Sequence, residues 1–98
     1  MNKKQKIRQL FRGSVFKRDG HKCVFCNVTK DLDAHHITDR NLMPNGGYVL
    51  ENGITLCHEH HIMAEEFHQG RMVEGWLPDD LYKKINSSYQ KALKASNK

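Results

Sequence analysis

The chain has little cysteine, almost no proline and no long apolar run. Only three cysteines and two prolines occur in 98 residues. An odd cysteine count excludes a fully paired disulfide framework. The scarcity of proline, together with the lack of repeats or low-complexity stretches, leaves no sign of a linker. Residues 1–98 therefore read as one domain, too short for a two-lobed enzyme with a deep cleft. Apolar runs are short, as at Tyr48-Val49-Leu50. That excludes a membrane-spanning helix and the apolar core of a secretory signal. No membrane partner is expected, and a reducing cytoplasm is the expected compartment. Hydrophobic residues are 38% and charged residues 28%, which suits a folded domain. Its core must be thin, and at this size a bound metal is a common supplement.

Acidic residues are absent from both ends. Residues 1–18 hold seven Lys or Arg and no acid, and residues 83–98 hold five Lys and no acid. All eleven Asp and Glu lie between Asp19 and Asp80, within an overall formal charge of +5. Basic flanks fit a polyanion such as nucleic acid, or else solvated tails. An acidic, histidine-rich middle fits bound cations.

Four blocks follow from periodicity and turn residues. A helix is predicted over about 4–18, with Ile7, Leu10, Phe11 and Val15 as its apolar stripe and Asp19-Gly20 as its stop. Gly13 weakens it by about 1 kcal/mol relative to alanine. Between Cys23 and Cys57 the chain reads as a tight turn, a short strand over Ala34–Thr38, a loop over Asn41–Gly47 and a returning strand over Ile54–Cys57. A second helix is predicted over about 58–68. His61, Ala64, Glu65 and His68 share one face, and Met63 and Phe67 turn towards a core. A last helix is predicted over about 78–94, opened by Pro78, Asp79 and Asp80, with Leu81, Ile85, Tyr89, Ala92 and Leu93 as its stripe. Trp76 is expected to help pack it.

Two constellations carry chemistry. Cys23-x-x-Cys26 and Cys57-x-x-His60 are paired-ligand turns. Zinc takes four tetrahedral sulfur or nitrogen ligands, and two-residue gaps let both members of a pair reach one ion. The resulting Cys3His set leaves no open position, so it reads as structural. Spacing favours His60 as the fourth ligand, with His58 and His61 as alternatives. The second constellation is Asp33-Ala34-His35-His36-Ile37 with His61. Adjacent strand residues face opposite ways, so His35 and His36 can do different jobs. One can hold a metal while the other faces an attacking water, a combination suited to phosphodiester hydrolysis. A plain surface histidine pair is the competing reading.

Taken together, these strings resemble the HNH endonuclease family, in its zinc-stabilised branch of small phage and bacterial nucleases. The resemblance covers about residues 12–68. It runs through Val15-Phe16-Lys17-Arg18-Asp19-Gly20, Cys23-x-x-Cys26, Asp33-Ala34-His35-His36-Ile37, Gly46-Gly47, Asn52-Gly53-Ile54-Thr55-Leu56-Cys57 and His60-His61. It implies an α+β fold built on the ββα-metal (His-Me finger) motif, with an N-terminal helix, zinc knuckles and a C-terminal helix. It implies that His36 is the general base and that His35 and His61 hold a catalytic divalent ion. Asn52 either fixes the loop that orients the base or ligates the metal. Cys23, Cys26, Cys57 and His60 fall at the structural zinc positions.

Two departures stand out: His60 replaces a usual cysteine, and Glu65 stands where some members carry another histidine ligand. Glu65 reads either as a further ligand or as a solvated carboxylate, and His68 as a helix-end residue near the negative end of the dipole. The implied activity is metal-dependent hydrolysis of DNA, leaving 5′-phosphate and 3′-hydroxyl ends, with Mg²⁺, Mn²⁺, Ni²⁺ or Zn²⁺ as candidate ions. Lys3, Lys4, Lys6, Arg8 and Arg12 would position the DNA backbone, with Arg40 a phosphate contact at the site. One catalytic set nicks one strand, so cutting both needs a homodimer, a larger nucleoprotein complex or a second visit. Two alternatives stay open: a zinc-knuckle binding module without catalysis, and a nuclease that works only within a larger complex such as a phage packaging machine. A redox role for Cys23-x-x-Cys26 leaves Cys57, His60 and the paired histidines without a purpose.

Overall fold

The computed structural model describes residues 1–98. Helix α1 (Lys3–Arg18) starts at Asn2, whose side chain accepts from the Gln5 N–H at 2.8 Å, while the Gln5 side chain accepts from the Asn2 N–H at 3.1 Å. This reciprocal cap satisfies two otherwise unpaired donors. The helix stops at Asp19, and Gly20 follows with φ +74°, as the Asp-Gly pair predicts. Only Phe11 and Val15 of α1 are buried. Ile7 and Leu10 are 38% and 62% exposed, contrary to the predicted stripe. The reason is that residues 1–10 run clear of the core, and only the C-terminal half of the helix meets the sheet.

The sheet has two antiparallel strands, β1 (Leu32–His36) and β2 (Gly53–Cys57), with Leu32 opposite Cys57 and His36 opposite Gly53. Strand β1 ends two residues before the predicted Thr38, because Asn52 takes over the backbone there. Its carbonyl accepts from the Ile37 N–H at 2.9 Å and its Oδ1 from the Thr38 N–H at 2.9 Å. All five residues of β2 are buried. Both α1 and α2 (His58–His68) pack against the two strands. Arg18 and Asp19 fasten α1 to β2. Arg18 donates to the carbonyls of Leu50 and Gly53 at 2.7 and 2.6 Å, and Asp19 accepts from the Thr55 N–H at 2.9 Å.

The core gathers Ile37, Ile54, Leu56, Ala64, Leu81, Tyr82 and Ala92 with Cys23 and Cys57. Met63 and Phe67 are 38% and 37% exposed rather than core-facing. Ala64 is the only buried residue of α2, and its small side chain lets the helix lie close to the sheet.

The predicted helix over 78–94 is two helices, α3 (Pro78–Lys84) and α4 (Tyr89–Ser96). The break has a local cause. Asn86 sits at φ +57°, where asparagine is tolerated better than most residues. Ser88 then caps α4 by accepting from the Lys91 N–H at 3.1 Å. Tyr89 leaves the predicted stripe and is 41% exposed. Helix α4 packs on the short turns Pro44–Gly47 and Leu50–Asn52, and Asn45 donates to the Ser96 carbonyl at 2.8 Å. No helix is long and apolar enough to cross a membrane.

Candidate metal centres

The turn after α1 and the junction of β2 with α2 bring Cys23, Cys26, Cys57 and His60 together. His60 Nδ1 lies 3.4 Å from Cys23 Sγ and 3.3 Å from Cys57 Sγ, and Cys26 Sγ lies 3.7 Å from Cys57 Sγ. A tetrahedron with ordinary zinc bond lengths has S···S edges of ~3.8 Å and S···N edges of ~3.6 Å. The four side chains thus fit a structural metal such as zinc, and His60 is the imidazole of the set, as spacing favoured. His58 is exposed outside it. Burial opposes the thiolate of Cys23, but backbone N–H groups of Cys57, Phe25 and Cys26 and the His60 ring outweigh it, lowering the thiol pKa to about 6. Cys26 moves the other way. Its contact with the Val28 backbone favours the thiolate, while desolvation and the thiols of Cys23 and Cys57 together push it up.

Trp76 covers this cluster. Its ring lies nearly parallel to His60 at 5.3 Å and 4.5 Å from Phe25. The sequence had assigned it only to the packing of the C-terminal helix.

The second centre lies at the far end of β1. His35 and His36 face opposite sides of the strand, as the alternation predicts. His35 is 2% exposed and faces α2, its ring stacked on His68 at 5.0 Å and edge-on to His61 at 5.1 Å. Its Nδ1 lies 3.4 Å from Glu65 Oε2. His36 faces α1, stacked on Phe11 at 4.5 Å and edge-on to Tyr48 at 4.7 Å. The donor atoms of His35, Glu65 and His68 all lie within 4.8 Å of one another. Glu65, 40% exposed, and His68 thus join His35 in a group that could hold a metal ion. His61 lies beside this trio, its Nε2 3.4 Å from Glu65 and its Nδ1 3.2 Å from Asp33 Oδ2. Asp39, Arg40 and Asn41 complete the rim of a cleft of about 380 Å³.

Burial pushes the His35 imidazole down to about 2, with His61, His68 and His36 adding to it. Burial likewise lowers His36 to about 4, helped by Arg40. Both rings are neutral near pH 7 and each keeps a lone pair. The Nε2 atoms of both are buried without a hydrogen-bond partner. Buried polar atoms of folded proteins rarely go unpaired, so a water or a ligand could meet either nitrogen here. The set of imidazoles and one carboxylate suits a divalent transition-type ion.

Asn52 does not join the ligands. Its Oδ1 accepts from the Thr38 N–H and the Tyr82 hydroxyl, and its Nδ2 donates to the carbonyls of Thr38 and Gly47 at 3.1 Å each. All four positions of the amide are used. Of the two roles the resemblance allowed, fixing the loop after β1 is the one this geometry performs. Gly47, at φ +65°, is part of the lock, because a Cβ there would lie 2.7 Å from Asn52 Nδ2. Tyr82 was missed from sequence; its only signal was its place beside Leu81 in an amphipathic helix.

The basic residues sort into two groups. Lys4, Arg8 and Arg12 follow one another at four-residue spacing on α1. Arg8, Arg12 and Arg40 line a hollow with Phe11, His36 and Tyr48, and Lys4, Arg8 and Arg40 line the next one along. The Tyr48 phenol is lowered by Arg40, whose Nη1 is 3.5 Å from its hydroxyl, and by Arg8. Arg12 also donates to the Leu32 carbonyl at 3.3 Å and lies over the Phe16 ring. Lys3 and Lys6 are exposed on α1 outside this row. No protein family, characterised protein or solved structure matches this chain.

Proposed function

We propose that the chain is a metal-dependent DNA endonuclease of the HNH type. The observation that carries this reading is the pair His35 and His36. One is a buried imidazole grouped with Glu65 and His68; the other is a neutral imidazole whose Nε2 has no partner, beside a row of arginines. A divalent ion would be held by His35 and by side chains of α2: Glu65 with either His61, the helix ligand that the resemblance implies, or His68, which the geometry groups with His35. When bound, it would polarise the scissile phosphate and offset charge on the leaving 3′ oxygen.

The protein's own part follows from its side chains. His36 takes a proton from water as the water oxygen attacks phosphorus in line with the departing 3′ oxygen, the P–O3′ bond breaks, and the 3′ oxygen takes a proton from solvent. Phe11 and Tyr48 hold the His36 ring on two sides, and Asn52 holds the loop that carries Arg40. Lys4, Arg8, Arg12 and Arg40 contact backbone phosphates, which gives affinity and salt dependence with little reading of sequence. The Cys3His cluster holds the end of β2 against the first knuckle and so fixes where α2 begins.

Nicking of supercoiled plasmid tests this reading. Zinc-loaded protein is assayed with Mg²⁺, Mn²⁺, Ni²⁺ and added Zn²⁺ in separate reactions, beside His36→Ala. Open circles from wild type only, with at least one metal, are the expected result. Equal silence of both, with the protein folded and holding one zinc, would favour a binding module or a nuclease that needs partners. Equal cutting by both would remove His36 from the role of base.

A further inference from the structure

We infer that His68 is a direct ligand of the divalent ion in the cleft, and that His61 serves instead to position Glu65. This rests on the metal-dependent reading of the cleft. The strings that carry the resemblance end at His61, so the role of His68 comes from geometry alone.

The hydrogen bond of His68 is the first argument. Its Nε2 lies 2.8 Å from the carbonyl oxygen of His36. A carbonyl only accepts, so Nε2 carries the proton and donates. A neutral imidazole with its proton on Nε2 leaves the lone pair on Nδ1. Metal-ligating histidines are commonly held this way, one ring nitrogen donating to a carbonyl or carboxylate and the other facing the ion.

Proximity is the second argument. His68 shares the 4.8 Å grouping with His35 and Glu65, and its ring is stacked on His35. The environment of His61 is different. Its two nitrogens lie 3.2 Å from Asp33 and 3.4 Å from Glu65, so it stands between two carboxylates and outside the grouping of His35, Glu65 and His68. Glu65 Oε2 thus sits 3.4 Å from both His35 Nδ1 and His61 Nε2, with His61 on its outer side. The same bond that sets the tautomer of His68 ties it to the backbone of His36. Metal binding at His68 and placement of the proposed base are therefore mechanically linked.

Metal affinity tests this separately from catalysis. Zinc-loaded wild type, His68→Ala and His61→Ala are titrated with Ni²⁺ by calorimetry, after far-UV circular dichroism and a zinc count show that each is folded. The expected result is one further ion per wild-type chain, an affinity at least tenfold weaker in His68→Ala, and a smaller loss in His61→Ala. A second readout needs no variant. In nitrogen-15 spectra of wild type, His68 should show the Nε2–H form, and its Nδ1 resonance should move when a second equivalent of Zn²⁺ is added. Unchanged Ni²⁺ affinity in His68→Ala, a larger loss in His61→Ala than in His68→Ala, or movement of His61 resonances with His68 unmoved would each overturn the inference. Plasmid nicking by wild type against His36→Ala decides the nuclease reading on its own, whichever histidine holds the ion.

Discussion

Gly53→Ala should loosen the joint between α1 and the sheet. Gly53 opens β2 and is buried there. A Cβ at this position would lie 2.4 Å from Val15 Cγ2 and 2.8 and 2.9 Å from two carbons of the Phe11 ring. Val15 is fully buried and β-branched, so its methyl cannot swing aside, and α1 itself must move. Overpacking by one methyl costs roughly 1–3 kcal/mol. In a domain of this size about 2 kcal/mol lowers the melting temperature by roughly 8–16 °C. Gly13→Ala is the control with the opposite sign. A Cβ there meets nothing within 4 Å, and the residue is exposed inside α1. Alanine should add about 0.5–1 kcal/mol through helix propensity and a less flexible unfolded chain. Thermal unfolding of the zinc-loaded proteins, followed by circular dichroism, reads both. The consequence reaches the site as well, because the Phe11 ring that must yield is the one stacked on His36. Any nicking activity should fall in Gly53→Ala at temperatures where the variant is still folded. A melting temperature for Gly53→Ala within about 2 °C of wild type, or shifts of the same sign for both variants, would refute the packing argument.

Three further outcomes can be checked. Removing zinc with a strong chelator, or making Cys57→Ser, should abolish cooperative unfolding, since metal-binding energy of about 10 kcal/mol or more exceeds what a core this thin provides; an unchanged transition would show the cluster to be dispensable. Tyr82→Phe removes bonds to Asn52 Oδ1 at 2.8 Å and Thr38 Oγ1 at 2.6 Å and should cost about 1–3 kcal/mol near neutral pH. Burial raises the folded-state phenol above its unfolded value of ~10, so its contribution is complete below that pH and is lost as pH rises beyond it. The gap between wild type and variant should therefore narrow in alkaline denaturation, and a gap that widens would refute the assignment. For DNA binding, Arg8→Ala combined with Arg40→Ala should lower the slope of log affinity against log salt by about 2, as each lost phosphate contact removes ~0.9; an unchanged slope would separate these residues from the DNA path.

Local signals in the sequence were strong where a side chain acts on its own neighbours. The Asp19-Gly20 stop, the two-residue gaps of the metal turns and the opposite facing of His35 and His36 follow from backbone geometry within a few residues. Burial was less legible. Ile7, Leu10, Met63, Phe67 and Tyr89 sit at helical spacing but stay exposed. A sheet of two strands offers each helix only a narrow contact, met by Phe11 and Val15 from α1 and Ala64 from α2. The break at Asn86 was hidden because the apolar spacing of Leu81, Ile85, Tyr89 and Leu93 runs across it. Tyr82 was hidden for another reason: its partner, Asn52, is thirty residues away, and no local pattern announces that contact.

The grouping of the cleft residues, by contrast, follows from two rise lengths. Chain direction reverses at Cys57, and α2 runs back over the sheet along β1. Asp33, His35 and His36 are separated by two and then one strand residue, or about 7 and 3 Å. His61, Glu65 and His68 are separated by four and then three helical residues, or about 6 and 4.5 Å. The two series run in step, and the observed pairs are Asp33 with His61, His35 with Glu65, and His36 with His68. A shift of α2 by one residue along β1 would carry the carboxylate away from His35 and break the bond that ties His68 to the strand. That position is set where α2 begins, at Cys57 and His60, and both belong to the Cys3His cluster. A metal such as zinc held by that cluster would therefore do more than add stability: it would set the register that brings His35, Glu65 and His68 together.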